Sequence, residues 1–463
     1  MRTRLSRRSG LGFTLLIAVV TISAAPAAPA GNFTIETVDG SPNSVGQYSS
    51  IALEPIGNPH VSYFDGTDYD LEYAWKEGDA WTTETVDWFE NGAGHFTSIA
   101  VDANGDSHVT YGDFYLFHLR YARKSGGAWT TEMVDGADSE VGGYNSLALD
   151  AQGNPCVSYW DLTSERLLYA WKSGGAWTLE VADPTFGVGI YSSLALDSQG
   201  NPHITYLNGY LTQLKYARKS GGAWTIEVVG SSTTAGGDNS LALDAADNPH
   251  VSFFDYQVND LKYARKVGGL WVIETADASP NRVGYYNSIA LDAEGNPHVS
   301  YWDGTARELK YARRSGSNWA VEVPSPGTSG TYISLALDTE GNAHISFWGG
   351  SGDLLYARGS FDPTDVTWSG PPGTLGLFVS PNPTRGEAYV SWNLTDGEPL
   401  DLSVFDVGGR NVRMLADDLA GGRRSTVWDG RDASGRDVAA GRYFLRLTTA
   451  RGHRATERVT IVR

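Results

Sequence analysis

Two sets of side chains recur along this 463-residue chain at a spacing that gathers them on one surface. The first pairs an aromatic ring with a carboxylate: Phe64-Asp65, Trp160-Asp161, Phe254-Asp255 and Trp302-Asp303, with Asp113, Asn208 and Trp348 at the equivalent places. The second is Tyr48, Phe96, Tyr144, Tyr191, Tyr286 and Tyr332, with Asp238 standing where a seventh aromatic would be. An aromatic ring stacks on the apolar face of a sugar while a carboxylate beside it accepts from the hydroxyls, and carboxylates can help to hold Ca²⁺. The competing reading is that the rings pack between repeated elements and the aspartates start turns. The candidate ligand-binding residues are therefore Tyr48, Tyr144, Tyr191 and Tyr286, the indoles of Trp160, Trp302 and Trp348, and the carboxylates of Asp65, Asp113, Asp161, Asp255 and Asp303.

Histidine also recurs, at His60, His108, His203, His250, His298 and His344, with Cys156 in its place once. Imidazole is a common metal ligand, yet one per repeat sets neighbours too far apart to share an ion at about 2.1 Å, so a hydrogen bond to the adjoining turn is expected instead. His95 and His118 break the pattern near Asp113 and invite a metal or acid–base reading, against which stands the ordinary solvated loop histidine. Asp429, Asp432, Ser434 and Asp437 crowd one loop, where calcium and simple turn chemistry compete. No carboxylate pair, nucleophile motif or phosphate-cradling loop stands out, so no catalytic residue is assigned and an enzymatic role is left open. No cofactor is implied; Ca²⁺ is the one metal these residue types admit.

The elements that would position these side chains are legible as a repeat. The runs beginning at Ile51, Ile99, Leu147, Leu194, Leu241, Ile289 and Leu335 recur every 46–48 residues without helical periodicity. A period in the forties built from short β-type runs indicates one propeller blade per repeat. Each unit reads as four strands. In the third these are the Ser-Leu-Ala-Leu run at 146–149, Val157 to Trp160, Leu167 to Trp171, and Trp177 to Val181 after a Ser173-Gly174-Gly175 hairpin turn. The Trp opening strand four occurs six times, whereas strands one to three occur seven times. Phe33 to Val38 matches Trp224 to Val229 and supplies the missing strand, so the start of the mature chain should latch the last blade. The predicted fold is all-β, a seven-bladed propeller over 31–359 followed by a small sandwich, with function expected on the face carrying the long, variable loops.

Arg2, Arg4, Arg7 and Arg8, an apolar run from Leu11 to Ile22 and Ala28-Pro29-Ala30 read as a signal peptide over 1–30, predicting an extracellular or cell-surface location. That run falls short of the ~20 residues of a membrane span, and no other segment qualifies. Residues 375–463 carry 13 Arg against 11 acidic residues, which leaves about −25 on residues 31–374. Such a field repels phosphate backbones and anionic lipid, excluding nucleic acid as a partner. With a single cysteine, no intrachain disulfide can form.

Composition shifts at a Pro- and Gly-rich linker, 360–376, and about seven short runs over 377–463 predict an Ig-like sandwich. Ser380-Pro381-Asn382-Pro383, Phe405 to Arg410, Trp428 to Gly435 and Gly441 to Leu445 occur there in order. This order resembles the Ig-like module of FlgD-type hook-cap proteins and equally the C-terminal sorting domains of type IX secretion cargo. The resemblance implies surface sorting or tethering, with secretion or outer-membrane machinery as the partner. The repeats resemble those of bacterial propeller proteins and, more loosely, sialidase-type propellers. The sialidase Asp-box is absent, so that resemblance carries fold rather than chemistry. The expected function is a secreted or surface binding protein whose propeller face takes a glycan or an extracellular protein; the alternative is a polysaccharide hydrolase or lyase with one asymmetric site.

Overall fold

The computed structural model describes residues 32–360, apart from 43, 89–91, 114–117, 137–139, 231–235, 316–317 and 328–329, and residues 376–462, apart from 381–383, 385–387, 394–399, 417–424 and 450–453. The signal peptide predicted at 1–30 lies outside them, as do the linker between its end residues and most of Ser380-Pro381-Asn382-Pro383. Among the described residues, seven four-stranded antiparallel sheets follow one another. Six are continuous, at 45–87, 93–135, 141–183, 188–228, 236–277 and 283–325. The seventh, at 331–360, has three strands of its own and takes its fourth from Asn32–Asp39. That strand runs antiparallel to Leu354–Ser360, with Phe33 opposite Gly359 and Thr37 opposite Leu355. The predicted latch is thus in place. The first inner strand, Val45–Leu53, packs against both Ala93–Val101 and Thr331–Leu337, so the wheel is closed.

At each joint between inner strands one serine makes the same hydrogen bond. Ser50 Oγ accepts the backbone N–H of Ile99 at 3.2 Å. The same contact is made by Ser98 with Leu147, Ser146 with Leu194, Ser193 with Leu241, Ser240 with Ile289, Ser288 with Leu335 and Ser334 with Ile51. A neutral bond of this kind contributes about 1 kcal/mol, and seven close a belt. Between blades the branched residues of one strand interleave with the next blade. Leu167 and Tyr169 of the third, for example, pack with Val188, Leu194, Ile204 and Tyr206 of the fourth. Burying each such aliphatic side chain contributes about 1.5–3 kcal/mol, so inter-blade packing is the main stabilising term.

On the short-turn face the recurrent histidines take the turn-anchoring role. His344 Nδ1 shares a hydrogen bond with the Tyr356 hydroxyl at 2.7 Å, and its Nε2 meets Asp338 at 3.3 Å. Asp338 in turn accepts the backbone N–H groups of Glu340 and Asn342. Burial drives the imidazole below its ordinary pKa. The turn prolines Pro59, Pro155, Pro202, Pro249 and Pro297 each open a strand, where a missing N–H is harmless.

Toward the rim, Trp177 Nε1 donates to Glu132 of the preceding blade at 2.9 Å, and Lys172 pairs with the same carboxylate. Equivalent staples link Glu36 with Lys76 and Trp81, Glu84 with Lys124 and Trp129, Glu180 with Lys219 and Trp224, Glu227 with Lys266 and Trp271, and Glu274 with Arg314 and Trp319. The latch joint differs. Phe33 and Gly359 stand where the other blades have Trp and a cation, and Glu322 pairs with Arg313 of its own blade at 3.2 Å.

The C-terminal residues form two antiparallel sheets, one of Gly376–Ser380, Ala388–Asn393 and Ser425–Trp428, the other of Asn411–Ala416, Leu400–Asp406, Gly441–Thr449 and Arg454–Ile461. They share a core of Val390, Trp392, Leu402, Trp428, Leu445 and Val459, making a two-sheet sandwich. The acidic loop is held by arginines. Arg413 reaches Asp429 at 2.6 Å and Arg431 reaches Asp437 at 3.2 Å. Asp432 accepts the N–H groups of Ser434 and Arg436, the turn chemistry that competed with calcium.

Candidate ligand-binding channel

A bulge repeated in every inner strand builds the candidate site. In the first blade Gln47 pairs with Phe64 and Ser50 with Ser62, so Tyr48 and Ser49 together face the one residue Tyr63. The extra residue adopts left-handed backbone: φ is 54° at Tyr48, 52° at Phe96, 49° at Tyr144, 55° at Tyr191, 42° at Asp238, 49° at Tyr286 and 52° at Tyr332. For bulky side chains this conformation costs about 1–3 kcal/mol and persists only where surroundings enforce it. The next residue along the chain supplies the enforcement. Ser49 donates to the carbonyl of Tyr332 at 2.7 Å, Thr97 to Tyr48 at 3.2 Å, Asn145 to Phe96 at 2.8 Å and Ser192 to Tyr144 at 2.7 Å. Asn239 holds Tyr191 at 3.0 Å and Asn287 holds Asp238, while Ile333 interrupts the series.

The consequence is a ring of side chains around the central axis. Centroids lie 4.8 Å apart for Tyr48 and Phe96, 4.6 Å for Phe96 and Tyr144, and 4.6 Å for Tyr144 and Tyr191. Beyond Asp238 the ring resumes with Tyr286 and Tyr332 at 5.1 Å and closes on Tyr48 at 4.7 Å. It lines a cavity of about 200 Å³. Burial and mutual proximity hold the tyrosines neutral, with Tyr286 pushed up to about 12 and Tyr48 and Tyr191 further. Among the described residues Asp238 is the one carboxylate in this lining. Enclosure raises it to about 6, opposed by a hydrogen bond from the backbone N–H of Tyr286. Tyr256, from the turn after the second strand of the same blade, hydrogen-bonds Tyr191 and faces Asp238.

The two predicted sets therefore part company. Tyr48, Tyr144, Tyr191 and Tyr286 stand in the ring, three residues inside the inner strands. Trp160, Trp302 and Trp348 form a second layer behind it, with centroids 6.0 Å from Tyr144, 6.1 Å from Tyr286 and 6.4 Å from Tyr332. The aspartates serve the turns. Asp65 accepts from Thr67 and Asp68, Asp161 from Thr163 and Ser164, Asp255 from Gln257, and Asp303 from Thr305 and Ala306. Asp113 meets His118 Nδ1 at 3.2 Å. All but Asp255 are buried, which removes these carboxylates from the surface offered to a ligand. His95 packs against Phe64 at 4.6 Å and Tyr48 at 5.0 Å, and burial lowers it to about 4. Among the described residues no three His, Cys, Asp or Glu side chains are grouped to hold a metal.

Two further cavities went unread in the sequence, because their walls come from different blades. One of about 340 Å³ lies between the second and third blades, lined by His108, Tyr121, Glu132 and Lys172. Its counterpart of about 360 Å³ is lined by His203, Tyr216, Glu227 and Lys266. In both, lysine and glutamate are already paired with each other.

No protein-family model matches the sequence, and no curated protein matches it. Similar solved structures include YCF48 bound to D1 peptide, at 12% identity over 73% of this chain and 98% of that one, with a TM-score of 0.49. PorZ of Porphyromonas gingivalis, a surface component of the type-IX secretion system, shares 13% identity over 90% of this chain and 59% of its own, with a TM-score of 0.45. The fucose-specific lectin of Aleuria aurantia shares 15% identity over 63% and 99%, with a TM-score of 0.43. Likeness at this level carries no functional argument. Among the described residues no helix is long and apolar enough to cross a membrane. The chain is thus placed by its own sheets as a seven-bladed β-propeller followed by a two-sheet sandwich.

Proposed function

We propose that this is an exported or cell-surface binding protein whose propeller takes a glycan at the tyrosine-lined channel, with residues 377–463 serving surface sorting or tethering. The observation that carries the reading is the ring itself: of seven strained positions, six of them pinned by neighbouring blades, six present aromatic rings, five with hydroxyls, to one shared cavity. Fold stability alone does not call for tyrosine at left-handed backbone, where Gly or Asn is less strained. Aromatic faces stack on the C–H faces of sugars, and hydroxyls exchange hydrogen bonds with them.

The hydrolase or lyase alternative has one observation in its favour, the raised pKa of Asp238. Glycoside hydrolysis needs a second carboxylate, and the cavity lining supplies none among the described residues. Tyrosines raised this far are poor bases at neutral pH.

The test is a glycan-array screen of the full chain, with and without Ca²⁺, beside Tyr144→Ala. Binding that is independent of Ca²⁺ and weakened about tenfold by the substitution supports the reading, since one stacking ring contributes roughly 1 kcal/mol or more. A blank array, or hits untouched by Tyr144→Ala, overturns it.

A further inference from the structure

Six of the seven ring positions are aromatic and the seventh is Asp238. A neutral sugar would be served by a seventh tyrosine, which the bulge geometry accepts at five of the other places. The carboxylate instead shares the cavity lining with Tyr191 and Tyr286, its neighbours in the ring, and interacts electrostatically with both and with Tyr256 from the neighbouring turn. Among the described residues the lining holds no lysine, arginine or histidine to neutralise it. A carboxylate in such surroundings attracts a cation, and aromatic faces add cation–π attraction of the same sign. The propeller's net charge of about −25 raises the local concentration of cations further.

The cation is an organic one. Ca²⁺ and Mg²⁺ ask for six or more oxygen ligands with several carboxylates among them, and among the described residues no three His, Cys, Asp or Glu side chains are grouped to hold a metal. An ammonium group needs one counter-ion and several ring faces.

We infer that the channel selects glycans carrying a free amine, with the ammonium of an amino sugar held by Asp238 between Tyr191, Tyr256 and Tyr286. This rests on the glycan-binding reading and narrows it to a substrate class. A sugar suits the site better than a lysine side chain, because hydroxyl and amide side chains line the cavity beside the rings and can exchange hydrogen bonds with sugar hydroxyls, which an alkyl stem lacks. The titratable groups facing Asp238 are Tyr144, Tyr191, Tyr256 and Tyr286, all driven upward by burial and neutral through the working range. Recognition should therefore weaken as the pH falls through about 6, where the carboxylate takes up its proton.

The test is titration calorimetry of the full chain with chitohexaose, with its fully de-N-acetylated counterpart and with pentalysine, on the natural protein, Asp238→Asn and Asp238→Tyr. Asp238→Tyr restores the residue the repeat favours and so guards against a folding failure. The expected result is at least tenfold tighter binding of the de-N-acetylated hexamer, lost in both variants while chitohexaose binding is retained. Equal affinity for the two hexamers, or a preference that survives Asp238→Asn, overturns the inference and leaves glycan binding standing. Pentalysine binding that depends on Asp238 while the amino hexamer fails also overturns it, assigning the site to protein lysines. If neither hexamer binds, the inference falls, whereas the glycan-binding reading falls only with a blank array.

Discussion

Ser334 Oγ in the last blade accepts the backbone N–H of Ile51 in the first at 3.1 Å, making the final joint of the serine belt. Ser334→Ala leaves that N–H without its partner and should lower the unfolding free energy by about 1–3 kcal/mol. Ser146→Ala, within the array, should cost the same, since its contact with Leu194 is equivalent. Urea titration of the two variants checks this; a cost at Ser146 with none at Ser334 would mean an open wheel.

The latch strand is fitted at Gly359, where a β-carbon would lie 2.5 Å from the ring of Phe33. Gly359→Ala should destabilise by about 1–3 kcal/mol through overpacking. On a Phe33→Ala background the same change should be nearly neutral, because the clashing ring is gone. A double-mutant cycle measured by thermal unfolding would refute this if the two costs simply added.

Asp238 carries a stability signature. Its folded pKa, about 6, lies above that of an ordinary carboxylate, so the folded state binds the proton more tightly than the unfolded chain. Ionised Asp238 is accordingly destabilising above pH 6, and the penalty fades as pH falls towards 4. Asp238→Asn should be more stable than the natural protein at pH 7 by up to about 3 kcal/mol, with the difference gone below pH 4. Denaturant midpoints at the two pH values test it, and equal midpoints at pH 7 would contradict it.

Cys156 stands where other repeats have histidine, and burial pushes its thiol up to about 11. It should resist maleimide in the folded protein and label fully in denaturant. Labelling of the native chain on the time scale of a free thiol would show that the third blade opens.

Much of this was readable beforehand because repetition supplies its own controls. The 46–48-residue spacing exposed the blades, and the match of Phe33–Val38 to Trp224–Val229 exposed the latch. The short β-type runs between turn signals over 377–463 likewise pointed to the two sheets found there. The depth of Tyr48 and its counterparts was not readable, since left-handed backbone is rare for tyrosine and leaves no mark in residue type. The turn role of Asp65 and Asp161 and a ligand role look alike in sequence, and only the N–H groups of Thr67 and Thr163 separate them. The staple from Glu132 to Trp177 spans 45 residues and has no local signal.

The central claim is that ligand is taken in the tyrosine ring, and hydrogen–deuterium exchange of the full chain with a saturating array-selected glycan tests it most directly. The account predicts slowed exchange at the bulged inner-strand residues 47–50, 95–98, 143–146, 190–193, 237–240, 285–288 and 331–334, with the rim hairpins at 174–175 and 268–269 unchanged. Protection confined to those hairpins, or to residues 376–462, would contradict it.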